Sequence, residues 1–135
     1  MNEFTSNVAN KNLLHPELSY QMMGLLFEVH NKLGTKYQEK HYQRALEIKL
    51  KDLNVPYIRE RKINVNFENQ VLGEFYADFV IDDKIILELK KVWAITQDDV
   101  KQVLRYLDAT NLDLAIIANF KHQRLEYRRV VNSRN

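Results

Sequence analysis

Apolar side chains recur every three or four residues in three segments of the chain, which is the period of an amphipathic helix. These segments run from Leu18 to Leu33, from Gln38 to Leu53, and between Thr96 and Asn111. Their ends carry matching signals: Gly34 follows the first segment, and Thr96 with Asp99 three residues later forms a capping box. The pattern therefore predicts three helices.

The remaining apolar positions alternate with polar ones or form short unbroken runs, as they do in strands. Residues 57–67 alternate, residues 71–81 return after a polar turn, and residues 112–120 suit a strand buried on both faces. A last strand is expected over residues 123–131, with Leu125, Tyr127 and Val131 on one face. The order of elements predicts an α/β (α+β) domain, in which helices flank both faces of a central mixed sheet.

The stretch from Asp78 to Lys90 holds two apolar strands joined by a polar turn at Asp82 and Asp83. Its charged residues include Glu88, and charges are rarely buried unless they are paired or bind a metal. A two-residue turn would put Asp78 and Glu88 on opposite faces of the sheet. A three-residue turn or one bulge would place them opposite each other. A shared metal site here therefore requires an odd-length turn or a bulge.

Length and composition fit one ordinary globular domain. The 135 residues are expected to form a polar, partly disordered N-terminus (1–15), a single domain (16–131) and a polar tail (132–135). No apolar run approaches the roughly 20 residues of a membrane helix. The absence of cysteine excludes disulfides and thiolate metal sites and makes the cytoplasm the default compartment. A net charge of +2 neither demands nor forbids nucleic acid as a partner.

The pattern Asp-x(9)-Glu-x-Lys, formed by Asp78, Glu88 and Lys90, resembles the active site of the PD-(D/E)XK nuclease superfamily. Ala77 stands where the name of the superfamily has proline. The resemblance extends over roughly Leu18 to Val131 and implies a restriction-endonuclease-like core.

A second set of motifs is similar to those of the GxxExxY protein family. The segment Leu33–Tyr42, followed by Ala45 and Leu46, matches the family motif at Glu39 and Tyr42, whereas Lys36 replaces the first glycine. The flanking segments Phe27–His30 and Leu87–Lys90 are similar as well.

The resemblance implies a set of metal ligands. Asp78, Glu88 and the carbonyl of Leu89 would bind Mg²⁺ or Mn²⁺, and Glu39 would complete the ligand set. Taken without the resemblance, the same residues also suit structural roles. An acid in the first helical turn, as Glu39 is, favours the helix dipole. Glu88 and Lys90 lie two apart on one strand face and would also form a structural ion pair.

The resemblance also implies roles around the reacting phosphate. Lys90 would orient or activate the attacking water and stabilise charge on the phosphate. Gln102 and Tyr106 match the Q-x-x-x-Y element of the recombination-exonuclease branch, which lines the site near the substrate backbone. Periodicity alone predicts that these two residues form a boundary pair near solvent.

Basic residues offer phosphate contacts, with Lys91, Lys101 and Arg105 as the first candidates and Arg124, Arg128 and Arg129 after them. For at least half of them, scattered solvated charge is the favoured interpretation.

The expected function is a metal-dependent nuclease acting on nucleic acid, with DNA favoured. The alternative is a non-catalytic module of the same fold that binds nucleic acid or protein. Because the core leaves little room for substrate recognition, specificity is expected to come from a homodimer or a partner protein.

Overall fold

The computed structural model describes residues 14–133. The N-terminus expected to be partly disordered (1–15) lies mostly outside this range. The last two residues of the predicted tail (134–135) lie outside it as well. The helices are α1 (Pro16–Leu33), α2 (Glu39–Asp52) and α3 (Gln97–Thr110), and the strands are β1 (Tyr57–Phe67), β2 (Gln70–Ile81), β3 (Ile85–Lys90), β4 (Leu114–Asn119) and β5 (Glu126–Val131). The predicted helices are confirmed, and each predicted strand is present, although β5 begins three residues later than expected.

The helix ends follow the signals that the sequence carries. Gly34 ends α1 with φ 71°, a conformation that glycine adopts without strain. Thr96 precedes α3, and its hydroxyl accepts a hydrogen bond from the backbone of Asp99 at 3.2 Å, while Asp99 accepts one from the backbone of Thr96 at 2.9 Å. Of the helices within residues 14–133, none has the length and apolar character needed to cross a membrane.

The strands form one mixed sheet in the order β1-β2-β3-β4-β5. The β3–β4 pair is parallel, because α3 carries the chain across the sheet between these two strands. The other neighbouring pairs are antiparallel. The predicted fold class, a mixed sheet with helices on both faces, is confirmed.

The sheet separates two apolar layers. One layer lies under α1 and α2, and the other lies under α3. Alternation along β3 sends Ile85, Leu87 and Leu89 to the first layer and Ile86 to the second, so Glu88 and Lys90 share the α3 side with Ile86. The strand therefore delivers two charged side chains to the face that α3 covers.

The edge strand β5 corrects one expectation. Val130 is buried in the layer under α3, whereas Tyr127 and Val131, predicted to face the core, remain about half exposed. The physical reason is the position of β5 at the rim of the sheet, where helices cover each face only in part. Tyr127 still contacts α1, since its ring packs edge-on against Phe27.

Candidate active site

The turn between β2 and β3 decides which charged residues meet. It spans Asp82 to Lys84, so Ile81 pairs with Ile85. Asp82 and Asp83 adopt φ values of 50° and 55°, a left-handed conformation that aspartate tolerates better than most residues. The three-residue alternative is therefore confirmed and the two-residue turn is wrong. The register continues to place Asp78 opposite Glu88, as a shared site requires.

The two carboxylates take over the hydrogen bonds where the backbone ladder stops. The last backbone pair is Phe79 with Leu87. Beyond it, the backbone N–H of Asp78 donates to Oε2 of Glu88 at 2.7 Å, and the backbone N–H of Leu89 donates to Oδ2 of Asp78 at 2.8 Å. Each carboxylate thus reaches across to the other strand. The result is a neighbouring pair of acids in the gap between β2 and β3.

An irregular backbone at Asp78 creates that gap. Ala77 packs in the layer under α3, whereas Phe79 packs under α1 and α2, although residues two apart normally share a face. The β1 register leaves Glu60 opposite Asp78, and Glu60 has φ 49°. Both strands therefore change orientation at this pair without a change in residue count. The change lets the side chain of Asp78 turn toward the β3 backbone.

Burial strongly disfavours charge on the pair. The side chain of Glu88 is buried, and burial together with the negative charge of Asp78 raises the pKa of Glu88 to about 8. Burial also raises the pKa of Asp78 to about 6, with Glu39 adding to the rise and the hydrogen bond from Leu89 opposing it. Two such carboxylates ionise together at neutral pH only when a cation compensates them.

Lys90 lies beside the pair but bonds elsewhere. Its side chain is 19% exposed, and its Nζ lies 3.5 Å from Oδ1 of Asp99 at the start of α3. Among residues 14–133, the ion pairs do not join Lys90 to Glu88. The structural ion pair that was considered between Glu88 and Lys90 is therefore not formed, and Lys90 pairs with Asp99 instead. Lys90 is held close to the acids by a residue from another element, and its charge lowers the pKa of both acids.

Asp99 is a site residue that the sequence reasoning missed. The capping box identified it only as a helix-start residue, and that role is present. It also faces Lys90, which lies on a different element. Burial tends to raise the pKa of Asp99, but the hydrogen bonds from Thr96 and the charge of Lys90 lower it overall. Only the long-range packing of α3 on β3 reveals the second role.

Gln102 and Tyr106, the two residues of α3 that match the Q-x-x-x-Y element, differ in burial. Tyr106 is 3% exposed because Phe75 of β2 covers it, with ring centroids 6.0 Å apart. The expectation from periodicity that it lies near solvent was wrong. Burial, together with the charges of Glu88 and Asp78, raises the pKa of Tyr106 to about 12, so its hydroxyl stays protonated beside the acids. Gln102 lies about one turn earlier on α3 and is half-buried.

Glu39 stands at the opening of the site rather than within it. It is the first residue of α2 and is exposed, yet its charge raises the pKa of both Asp78 and Glu88. The loop before it is fixed by Tyr42, whose hydroxyl donates to the carbonyl of Gly34 at 2.6 Å. Tyr42 is fully buried and stacks on Phe120 with ring centroids 4.5 Å apart. The tyrosine of the motif thus fixes the loop that leads to Glu39.

The donor set fits a small, hard divalent cation in part. Two carboxylates are adjacent, and the carbonyl of Leu89 points to the same gap as its N–H, since both groups of a strand residue face one neighbouring strand. Oxygen donors of this kind are what Mg²⁺ and Mn²⁺ prefer. Within the described residues, however, no three acidic or histidine side chains gather closely enough to form a metal cluster. The third predicted acid, Glu39, stands at the opening of the site, from which its charge raises the pKa of Asp78 and Glu88.

Comparison with known proteins identifies the family. The model of the PD-(D/E)XK nuclease superfamily matches residues 16–130. The chain belongs to this superfamily. The crystal structure of SSO0001 has a similar fold, with a TM-score of 0.53 and 19% identity over 72% of this chain. The match spans 52% of SSO0001, about half its length. A search of curated proteins gives no match.

The buried Asn119 fixes the path from Lys90 to α3 in this superfamily member. Its amide exchanges hydrogen bonds with both backbone groups of Val92, at 3.0 and 2.8 Å, and donates to Glu126 at 2.8 Å. Glu126 in turn accepts from the backbone of Ile95 at 3.3 Å. Sequence reasoning missed this network, because Asn119 stood at the end of an apolar run with no local signal.

The predicted phosphate-binding residues lie in different surroundings. Lys91 donates a hydrogen bond to the carbonyl of Tyr37, which connects the β3–α3 loop to the α1–α2 loop. Lys101 and Arg105 are exposed on α3, four residues apart. Arg129 is engaged within the fold, bonding Ser19 and the carbonyl of Leu14 at 3.4 and 3.1 Å, so it is not a free phosphate contact. Arg124 and Arg128 are exposed as well, so these two and the pair on α3 remain predicted phosphate contacts.

Proposed function

We propose that this chain is a Mg²⁺- or Mn²⁺-dependent nuclease that hydrolyses phosphodiester bonds of nucleic acid, with DNA as the first substrate to test. The observation that carries the proposal is the buried Asp78–Glu88 pair at the end of the β2–β3 ladder. Its raised pKa values describe a site that needs a cation before both acids ionise. Membership of the superfamily supports the same conclusion.

The proposed ligand set is Asp78, Glu88 and the carbonyl of Leu89, and Glu39 would complete it. A bound divalent ion supplies an acidified water and compensates negative charge on the phosphate. Asp78 and Glu88 would hold that ion where the β2–β3 ladder ends. Their backbone hydrogen bonds fix the orientation of both carboxylates before binding.

Lys90 orients the attacking water and neutralises charge that develops on the phosphate. An ammonium group at a fixed, partly desolvated position stabilises such charge more strongly than one in water. Asp99 holds Lys90 in the absence of substrate. Tyr106, protonated beside the acids, donates a hydrogen bond to a phosphate oxygen, and Gln102 contacts the substrate backbone one turn away.

We further assign the chain to the GxxExxY branch of the superfamily. Glu39 and Tyr42 support this assignment, because the tyrosine fixes the loop and the charge of the glutamate raises the pKa of Asp78. Lys36 replaces the first glycine of the motif in an exposed position, so the substitution needs no compensating contact.

A second candidate function is a non-catalytic module that binds nucleic acid. Two observations favour it: in the range 14–133, no three acids converge, and Lys90 forms an ion pair with Asp99. A binding module would keep the basic surface while losing metal-dependent cleavage.

Cleavage of labelled single- and double-stranded DNA and RNA, with Mg²⁺ or Mn²⁺, separates the two functions. Wild type is compared with Lys90→Ala and Glu88→Gln. Lys84→Ala is the matched control, because Lys84 is an exposed lysine of the same hairpin that pairs with Asp82 at 3.5 Å. All variants are first checked for folding by circular dichroism.

The nuclease proposal predicts cleavage by wild type and Lys84→Ala, and none by the other two variants. Cleavage that survives both Lys90→Ala and Glu88→Gln would come from a contaminant or another site and would refute the assignment. Binding of substrate without cleavage by wild type, with either ion, would favour the non-catalytic function.

A further inference from the structure

An exposed aromatic residue stands beside the site without a role in the proposed chemistry. Trp93 is 79% exposed, although a large apolar side chain is costly to leave in water. It lies three residues after Lys90, so the two Cα atoms are at most roughly 11 Å apart. Neither the packing of the two apolar layers nor the acid pair requires an indole at this position.

Two basic side chains lie against Trp93. The Nζ of Lys121 lies 4.8 Å from the centroid of the indole ring, within the range of a cation–π contact. The ring of His122 is 5.9 Å away, and its Nε2 donates to the carbonyl of Trp93 at 2.6 Å. The exposed fraction shows that these contacts leave much of the indole open to solvent.

Two loops hold this cluster in place at the end of the parallel strands. The backbone N–H of Phe120 donates to the carbonyl of Lys90 at 2.9 Å, which joins the starts of both loops. His30 donates to the carbonyl of His122 at 2.7 Å, and Asn119 bonds both backbone groups of Val92. The indole therefore projects from a fixed backbone, which lowers the entropy cost of binding.

We propose that Trp93 is a stacking platform for an unpaired nucleobase of the substrate, and that Lys121 binds the adjacent phosphate. This inference rests on the proposed function and adds a substrate class to it: nucleic acid with a single-stranded segment at the cleavage site. Base stacking on an aromatic side chain combined with nearby cations is how sequence-tolerant single-strand binding is built.

The geometry favours an unpaired base over a duplex. In a duplex, neighbouring bases cover both faces of each base, so an indole finds a free face only at an unpaired or terminal base. The basic groups near Trp93 favour a polyanion over an apolar protein surface.

Trp93 itself reports the binding, because it is the only tryptophan in the sequence. Wild type is titrated in EDTA, which prevents metal-dependent cleavage, with oligothymidylate, with oligouridylate and, at equal nucleotide concentration, with a relaxed, covalently closed circular duplex, which has neither ends nor loops. The inference predicts saturable quenching of the indole fluorescence by at least one of the single strands and little quenching by the closed duplex.

Variants test whether the base, and not only the charge, is recognised. Affinity for whichever of the two single strands quenches the indole, now labelled with a dye, is measured by anisotropy for wild type, Trp93→Ala, Trp93→Phe and Lys121→Ala. Trp93→Ala is expected to weaken binding about tenfold or more, and Trp93→Phe should recover part of the loss. The control is Tyr20→Ala, since Tyr20 is an equally exposed aromatic residue (83%) on the first turns of α1. It should bind like wild type.

Three results would overturn the inference: no quenching by either single strand, equal quenching by the closed duplex, or unchanged affinity of Trp93→Ala. An abasic strand that binds as tightly as oligothymidylate would also overturn it, because only phosphate would then be recognised. Failure of the proposed function is distinguishable. Quenching by single strands without cleavage in Mg²⁺ or Mn²⁺ supports the platform and refutes the nuclease. Cleavage by wild type that is unaffected by Trp93→Ala supports the nuclease and refutes the platform.

Discussion

At the scale of single residues, the site is a set of charges placed where the fold disfavours them. Glu88 and Asp78 each satisfy one backbone N–H of the opposite strand; Glu88 is buried and Asp78 is partly buried. Their mutual repulsion and burial oppose ionisation. An arrangement that costs stability in the absence of a cation is typical of a binding or catalytic site.

The first prediction concerns stability without metal. The folded protein binds more protons than the unfolded chain when the pKa of an acid is raised, so stability falls as pH rises. For Glu88, the loss should develop above its ordinary value of 4.5 and continue to about 8. In chelator, the free energy of unfolding of wild type should therefore fall over this range, as measured by urea unfolding.

Glu88→Gln provides the comparison, because glutamine cannot ionise but is close in shape. Its stability should fall less steeply between pH 6 and about 8 than that of wild type. Parallel pH curves for the two proteins would mean that Glu88 is charged, or solvated, in the folded state.

A second prediction concerns Asp99. Asp99→Asn keeps an oxygen that accepts the hydrogen bond from Thr96 but removes the charge that holds Lys90. In the proposed nuclease, cleavage should fall on the order of tenfold, since a small displacement of the group that orients the water is costly. The loss should lie in kcat and leave KM little changed.

Asp98→Asn is the matched control, because Asp98 is the adjacent acid in the first turn of α3 and is exposed. It removes the same charge from the helix start without touching Lys90. Equal losses in both variants would assign the effect to the helix dipole and not to the position of Lys90.

At the scale of elements, the β2–β3 turn and the start of α2 position the acids. The turn length sets the register, and the α1–α2 loop brings Glu39 to the opening. Tyr42 connects this loop to the sheet by its hydrogen bond to Gly34 and its stacking on Phe120.

The third prediction follows from that connection. Tyr42→Phe keeps the stacked ring but leaves the carbonyl of Gly34 without its buried donor, which should lower the free energy of unfolding by about 1–2 kcal/mol. Tyr20→Phe, at an exposed site on α1, should change it by less than about 0.5 kcal/mol. Urea unfolding of the two variants checks both values, and a Tyr42→Phe protein as stable as wild type would mean that the hydroxyl does not hold the loop.

Local patterns were sufficient for the elements and for the candidate acids. Helical periodicity, Gly34 and the Thr96 capping box predicted the helices, because these signals act within one turn. The turn length was left open, since it depends on left-handed conformations at Asp82 and Asp83. Contacts between distant elements were not predictable from local sequence: the burial of Tyr106 under Phe75 and the pairing of Lys90 with Asp99.

At the scale of the whole molecule, two apolar layers support the candidate site, which lies at one end of the central strands. The sheet holds Asp78, Glu88 and Lys90 on neighbouring strands, α2 begins at the opening of the site, and α3 covers the sheet face that carries Glu88 and Lys90. The β3 and β4 ends also carry the loops with Trp93 and Lys121. The proposed metal ligands and the proposed base-stacking surface thus lie at the same end of the central strands.

Calorimetric titration with Mn²⁺ near pH 8 tests whether the buried acid pair binds a divalent cation, on which the proposed nuclease depends. We predict saturable binding to wild type, a matching rise in Tm, and loss of both in Asp78→Asn and Glu88→Gln. Binding of equal strength in wild type and both variants would place the metal elsewhere. Wild type that binds no Mn²⁺ would contradict the assignment of a metal site to this pair.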